Sequence, residues 1–373
     1  MIDSKGGFYS SMDADSEGVE GKYYVWNPEE IESVLSENDA KIFNQYYDIS
    51  KSGNWEGNSI PNVIMKKSSL STLLKIPESE ISSSLEKSRL AIKKHRKSRI
   101  APGTDDKIIV SWNGLMISAF LSGYKITDNV KYFDIGKASI DFFENNFEKN
   151  HILHRTFKNG EPKLNGYLDD YANMANASLD MFEITSDPMY LLFATNLSNY
   201  LIMHFWDDST HGFFFTSDNH EKLIIRPKSN YDLSMPSGNS VASHVLLRLY
   251  YITQNKQFLE VAKKIIESQA RAAAENPFAF GYLLNVLYLY HQNPTEITVI
   301  NDKNSELIST LQKKFLPESI MVIIRHKNNL DSLSKHAFFS GKEFQDDKTN
   351  VFICKNFSCS LPLSDLSEIE KEL

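Results

Sequence analysis

Between residues 110 and 260 the apolar positions recur at helical spacing, and the polar breaks between them resemble one another. Leu115, Ile117, Phe120, Leu121 and Tyr124 form one such row. It runs into Tyr124-Lys125-Ile126-Thr127-Asp128-Asn129-Val130-Lys131-Tyr132. The same order of residue types returns in Phe182-Glu183-Ile184-Thr185-Ser186-Asp187-Pro188-Met189-Tyr190 and in Tyr250-Tyr251-Ile252-Thr253-Gln254-Asn255-Lys256-Gln257-Phe258. Each copy has an aromatic, then Ile-Thr, a polar turn and a second aromatic. This predicts helix-turn-helix hairpins, with Asp128, Asp187 or Asn255 capping the second helix. Pro188 suits that helix's first turn. A weaker fourth copy ends at Asn293-Pro294, and residues 28–35 and 78–94 read as earlier helices.

The links between hairpins also look alike. Residues 152–157 followed by Asn159-Gly160 predict a small β-hairpin with a type I′ turn. A second is expected from 213–216, Asp218-Asn219 and 223–226, and a third from 8–11 with 22–26. Helix pairs alternating with rim hairpins predict a mainly α fold, a six-hairpin (α/α)6 toroid; an open α-solenoid is the alternative. The tail changes pattern: 296–300, 320–325 and 351–354 read as strands and 305–315 as a helix. The expected division is an α/α-barrel domain over 1–294 and a small C-terminal α/β segment over 295–373.

The repeat directs attention to one end of the helices. Fourteen residues before each repeated Ile stand Trp112, Asp170 and Gly238. They lie in the unusual stretches Ser111-Trp112-Asn113-Gly114, Leu168-Asp169-Asp170-Tyr171 and Pro236-Ser237-Gly238-Asn239-Ser240, all near helix starts. In a toroid, equivalent helix starts share one mouth, where free N–H groups gather. Asp169 and Asp170 read equally as N-caps or as carboxylates that exchange a proton with a ligand. Asp105-Asp106-Lys107 reads as a solvated turn or as a carboxylate tuned by its neighbouring cation. Trp112 suits a core position or a sugar-stacking platform. Ser237 to Ser240 read as a turn with a cap, or as ligand contacts; flanking glycines for a nucleophile elbow are missing. Asp13 and Asp15, close to Tyr23, Tyr24 and Trp26, suit sugar hydroxyls better than calcium, since the loop lacks the twelfth-position Glu.

Composition narrows the classes. A formal net charge of −8 argues against nucleic acid as a partner. The apolar runs are short and interrupted by polar residues, so no membrane span is expected. The opening residues have neither a basic nor an apolar leader region, and two cysteines in 373 residues suit a reducing, cytoplasmic setting. Cys354 and Cys359 lack redox CxxC spacing and read as a buried or surface thiol pair. The histidines, His151, His154, His204, His211, His220 and His244, show no zinc spacing. No metal and no cofactor is expected, and no dinucleotide or Walker glycine motif occurs.

Taken together, Gly6-Gly7-Phe8-Tyr9-Ser10-Ser11-Met12-Asp13-Ala14-Asp15-Ser16-Glu17-Gly18, Tyr24-Val25-Trp26, Asn54-Trp55-Glu56-Gly57, Asp106-Lys107, the three helix-start motifs and the pair Cys354/Cys359 resemble one family. It is the thioredoxin-domain-containing family that includes the bacterial YyaL protein and the mammalian spermatogenesis-associated protein. The resemblance spans nearly the whole chain. It implies a six-hairpin barrel like those of glycoside hydrolases and N-acylglucosamine 2-epimerase. It also implies an incomplete one, lacking the family's thioredoxin-like domain and first hairpins, as expected of a fragment that opens directly on strand and turn. The resulting expectation is acid/base chemistry on, or binding of, a sugar-like ligand at the barrel rim. Asp106 and Asp170 would be the acid/base pair, and Asp13, Asp15, Trp112, Asn113, Tyr171, Ser237 and Asn239 the binding residues. The rivals are an N-acyl-sugar epimerase using a histidine such as His211, and a non-enzymatic scaffold working with a thioredoxin-like domain or protein in redox or quality control.

Overall fold

The computed structural model describes residues 1–146, 152–222, 224–356 and 358–373; His151 and Leu223 of the readings above lie outside them. The chain forms two compact units, one of Ser11–Asp106 and one of Met1–Ser10 with Lys107–Leu373.

The smaller unit is a cluster of four helices: α1 (Pro28–Val34), α2 (Glu37–Tyr46), α3 (Lys67–Leu74) and α4 (Glu78–Arg96). Asn27 and Ser36 cap the first two, each side chain accepting a backbone N–H at the helix start. Trp26, Ile31, Phe43, Leu70, Ile81 and Leu85 make its core. The hairpin expected from 8–11 and 22–26 does not form. Strand β1 (Ser11–Met12) pairs instead with β4 (Thr104–Asp105), and β2 (Asp15–Ser16) folds back on β3 (Val19–Glu20). Glu17 and Gly18, both at positive φ, close that turn before the chain reaches 22. Trp26 then bridges Ser59 and enters the core.

The larger unit carries the repeat. Its hairpins are α5 (Val110–Thr127) with α6 (Val130–Asn145), α7 (Leu168–Thr185) with α8 (Pro188–His204), and α9 (Gly238–Thr253) with α10 (Lys256–Glu275); α11 (Gly281–Gln292) follows. Helices α5, α7, α9 and α11 pack side by side in sequence, and α6, α8 and α10 each back their own partner. This is the two-layer helical-hairpin arrangement of an α/α toroid, with three hairpins where a closed (α/α)6 barrel has six.

The repeated turn has one construction. Asp128, Ser186 and Gln254 end the inner helices at φ 55°, 54° and 61°. Before each, the Thr hydroxyl donates to the carbonyl four residues back, in Gly123, Met181 and Leu249. That same oxygen accepts the N–H of Asn129, Asp187 or Asn255, whose side chain caps the next helix. Asp128 therefore closes α5, and Asn129, not Asp128, caps α6. The inner helices approach closely where small residues face their neighbours. A Cβ at Gly114 would stand 2.7 Å from the Asn173 backbone.

Strands β6 (His154–Lys158) and β7 (Glu161–Asn165) form the expected hairpin over Asn159-Gly160, both at positive φ. Strand β5 (Ile108–Ile109) extends it. The second expected hairpin is absent among the described residues. In 213–226 only Phe213 bridges, to Trp206; main-chain bonds tie Phe214 to Phe205 and Phe215 to Pro227 and Leu168, and Arg226 and Lys228 donate to the carbonyls of Thr216 and His211. In the tail, β8 (Thr295–Ile300) runs parallel to β9 (Ser319–Ile324) through α12 (Ser305–Lys313). Strand β10 (Asn350–Lys355) lies antiparallel to β8, and β11 (Ser358–Cys359) edges the sheet. Ile297, Val299, Leu307, Leu311 and Ile353 close a core on one face. From the other, Ile300, Ile320, Val322 and Ile324 join the helices' main cluster. The boundary expected at 294/295 thus falls inside the larger unit.

Candidate functional site

The helix-start motifs converge on a common task, and it concerns the backbone. Asn113, Tyr171 and Asn239 occupy equivalent places in the repeat. Asn113 Oδ1 accepts the Phe8 N–H at 2.7 Å and its Nδ2 donates to the Phe8 carbonyl at 3.1 Å. Asn239 grips Phe213 in the same way, at 2.7 and 3.0 Å. The Tyr171 hydroxyl accepts the Leu153 N–H at 2.8 Å. All three side chains are buried, so each rim segment is pinned to a helix start through main-chain groups that would otherwise lack partners. Ser237 caps α9, accepting the Ser240 N–H.

Asp170 is fully buried as well. One oxygen accepts from the Ser111 N–H and from Arg155, at 2.8 and 2.9 Å; the other accepts the Tyr167 N–H at 2.8 Å. Burial, with the Asp169 carboxylate beside it, pushes Asp170 up to about 7 against the pull of Arg155 and the two N–H donors. Arg155 also holds Asp169, at 3.0 Å, and lies over the Tyr167 ring. Trp112, next to Ser111, is 41% exposed. Of the residues expected to meet a ligand in this unit, Trp112 alone presents a broad surface. Asp170, Asn113, Tyr171, Ser237 and Asn239 hold the rim together.

A second polar array runs down the inner face of α7. Asp169, Asn173, Asn176, Asp180 and Glu183 follow one another at intervals of four and three, so they share one side of the helix. Neighbouring inner helices complete the row. Ser118 of α5 donates to Asp180 at 2.5 Å and Lys125 pairs with Glu183 at 3.2 Å. Arg248 of α9 reaches Asn176, Glu183 and Asp180 at 2.8, 2.7 and 2.9 Å. His244 Nδ1 meets the Tyr282 hydroxyl of α11 at 2.9 Å. Burial opposes ionisation of Asp180, but Arg248, Lys125 and Ser118 hold its carboxyl below the usual range. Burial and the adjacent Arg248 drive His244 down to about 3, leaving a neutral imidazole. Asp169 Oδ1 and Asn173 Oδ1 are buried and have no donor among the described residues. The spacing of these five residues was visible in the sequence. A polar helical stripe ordinarily faces solvent, so the spacing alone does not mark it as interior.

Asp13, Asp15 and Asp106 belong to the smaller unit. Asp13 and Asp15 are exposed, and Asp106 is half-buried. That unit has a cleft of about 670 Å3 lined by Tyr23, Trp55, Glu17, Glu20, Glu56 and Arg99 among others; neither Asp13 nor Asp15 lines it. His211 sits at φ 57° with its ring stacked on Trp206. Among the described residues no three His, Cys, Asp or Glu side chains converge as a metal site needs, and no helix is long and apolar enough to cross a membrane. Cys354 and Cys359, expected as thiols, are joined in a disulfide, as directly opposed partners on β10 and β11.

No family model matches the chain. It is similar to an uncharacterised protein of Caenorhabditis elegans, 27% identical across 98% of this chain and 54% of that protein. It is also similar to spermatogenesis-associated protein 20 of Homo sapiens, 26% identical across 99% of this chain and 52% of the relative. The chain thus spans about half the length of the curated relatives it matches. Among solved structures, cellobiose 2-epimerase from Bacillus thermoamylovorans B4167 superposes with a TM-score of 0.39 at 13% identity, over 72% of this chain and 66% of that one. That likeness is too loose to equate individual residues.

Proposed function

We propose that the larger unit binds a polyhydroxylated, sugar-like ligand along the polar inner face of α5, α7 and α9, with His244 as the proton-transferring group. The observation that carries this reading is the α7 row itself, where two buried acceptors, on Asp169 and Asn173, have no donor among the described residues. An unsatisfied buried acceptor costs about 1–3 kcal/mol, and sugar hydroxyls are donors of suitable size. Trp112 is the stacking platform in this reading, while Asp170 with Asn113, Tyr171, Ser237 and Asn239 positions the rim. Asp13, Asp15 and Asp106 carry no step in it.

In this reading the reaction is isomerisation rather than hydrolysis. Glycoside hydrolysis needs a carboxylic acid that is protonated when the leaving oxygen departs. Asp180 is held ionised by Arg248, and Asp170, raised to about 7, has both oxygens taken by Ser111, Tyr167 and Arg155. His244 is neutral with its value at about 3, so proton abstraction by it from carbon beside a sugar carbonyl requires that ligand binding raise its basicity toward neutral. The test is ligand-observed NMR on the full chain with a panel of aldoses, ketoses and N-acyl sugars, run in D2O. The expected result is binding with deuterium incorporation beside the carbonyl. His244→Gln abolishes incorporation while binding persists, and Asn176→Leu weakens binding at least tenfold. Absence of any binding across the panel refutes the ligand class. Binding with incorporation unchanged in His244→Gln refutes the role of His244.

A further inference from the structure

The chain's two cysteines are flanked by two buried ionisable groups that the reading above leaves unused. Cys354 is fully buried on β10, and Cys359, its antiparallel partner on β11, is exposed. The Lys342 ammonium lies 3.9 Å from Cys359 Sγ. Lys342 is itself buried, donating to the Phe338 carbonyl and lying over the Phe338 and Phe352 rings. Glu296, on β8, is the direct cross-strand partner of Cys354 and is also buried. Directly opposed residues of an antiparallel pair project from the same face of the sheet, so Glu296 and Cys354 share surroundings.

We propose that Cys354 and Cys359 are an exchangeable dithiol–disulfide pair, with Cys359 trading with an external disulfide, Cys354 resolving, and Lys342 and Glu296 positioning charge and proton. The accessible sulfur is the one an external partner reaches. A thiolate forming there gains from the adjacent ammonium, as reactive cysteines do beside lysine. In the reduced chain the Cys359 thiolate attacks one sulfur of an external disulfide RS–SR′, forming a mixed disulfide with R and releasing R′S⁻. Cys354 then loses its proton to Glu296, and its sulfur attacks Cys359 Sγ. That restores the internal disulfide and releases RS⁻. The chain gives up two electrons and two protons, and the external disulfide becomes two thiols; the reverse sequence oxidises an external dithiol. Burial, opposed by Lys342, raises Glu296 to about 7, which suits a carboxylate that takes up and returns a proton. Burial, opposed by Glu296, lowers Lys342. The other groups nearby are the Tyr251 phenol, which feels Glu296, and Lys355, which donates to the Glu372 carbonyl.

The full chain tests this in three measurements. Wild type is equilibrated natively with reduced and oxidised glutathione, quenched and weighed by mass spectrometry; the pair is expected to shift between dithiol and disulfide with the buffer ratio. Cys354→Ser is expected to trap a glutathione adduct on Cys359, and Cys359→Ser to trap far less on buried Cys354. The alkylation rate of Cys359 in Cys354→Ser is expected to inflect below the ordinary thiol value of about 8.5. Adding Lys342→Met moves the inflection back and slows alkylation at pH 7 about tenfold, whereas Lys342→Arg preserves it. A native disulfide that excess reduced glutathione leaves intact overturns the proposal. So does a Cys359 inflection at or above the ordinary value with Lys342 present, a result that requires no lysine variant to fold.

Discussion

Replacing Asn239 by Ala separates the two roles open to the helix-start motifs. The amide bonds both main-chain groups of Phe213, at 2.7 and 3.0 Å, and its Nδ2 also donates to the Ser229 carbonyl and to Asn230 Oδ1, each at 3.2 Å. Asn239 is fully buried, and so is Phe213. Alanine would strand one N–H and one carbonyl away from water, each costing about 1–3 kcal/mol. A loss of about 2–5 kcal/mol of unfolding free energy is expected, toward the lower end if a water enters the vacated space. Trp206, bridged to Phe213 with ring centroids 5.4 Å apart, reports on the same segment, so urea unfolding followed by tryptophan fluorescence is the assay. Asn113→Ala should match it, because its amide makes the same pair of bonds to Phe8. If Asn239→Ala loses less than about 1 kcal/mol while ligand binding collapses, Asn239 is a binding residue and the anchoring argument fails.

Three further outcomes follow from the buried charges and close contacts of the larger unit. His244 is neutral in the fold and takes up a proton near 6.5 when unfolded, so its contribution to stability is full above 6.5 and falls as pH drops from 6.5 toward 3. Denaturation midpoints across that window should fall by a few kcal/mol equivalent in wild type and less steeply in His244→Gln. Gly114→Ala drives a Cβ to 2.7 Å from the Asn173 backbone and should cost about 1–3 kcal/mol in thermal unfolding, whereas Gly281→Ala, with open space at the site, should be neutral or stabilising by up to about 1 kcal/mol. Arg248→Met leaves Asp180 and Glu183 without their shared guanidinium, and chemical denaturation should show a loss of about 3–5 kcal/mol at neutral pH that shrinks as Asp180 is protonated in acid.

What the sequence revealed, and what it hid, follows from how far apart the deciding atoms are. The three hairpins were legible because their turn chemistry is local: Thr127, Thr185 and Thr253 each act within four residues along the chain. The hairpin over Asn159-Gly160 was legible for the same reason. The segment 213–226 was misread because its partners are distant. Asn239 fixes Phe213 from 26 residues away, and no local pattern announces that. The rim motifs stand out in the sequence as unusual, yet an Asn that satisfies a buried backbone and an Asn that awaits a ligand look identical in one dimension. The α7 row has the opposite history. Its interval of three and four was in plain view, but only Lys125 and Arg248, 58 and 65 residues from Glu183, turn a solvent stripe into an interior one. The repeat contained that information: Ser118 and Lys125 on α5, Asp180 on α7, and His244 and Arg248 on α9 all lie on the face that the hairpin offset brings together. A repeat therefore locates a shared interior polar face by comparing the same helical side across copies. Comparing only helix starts finds the anchors that hold the rim.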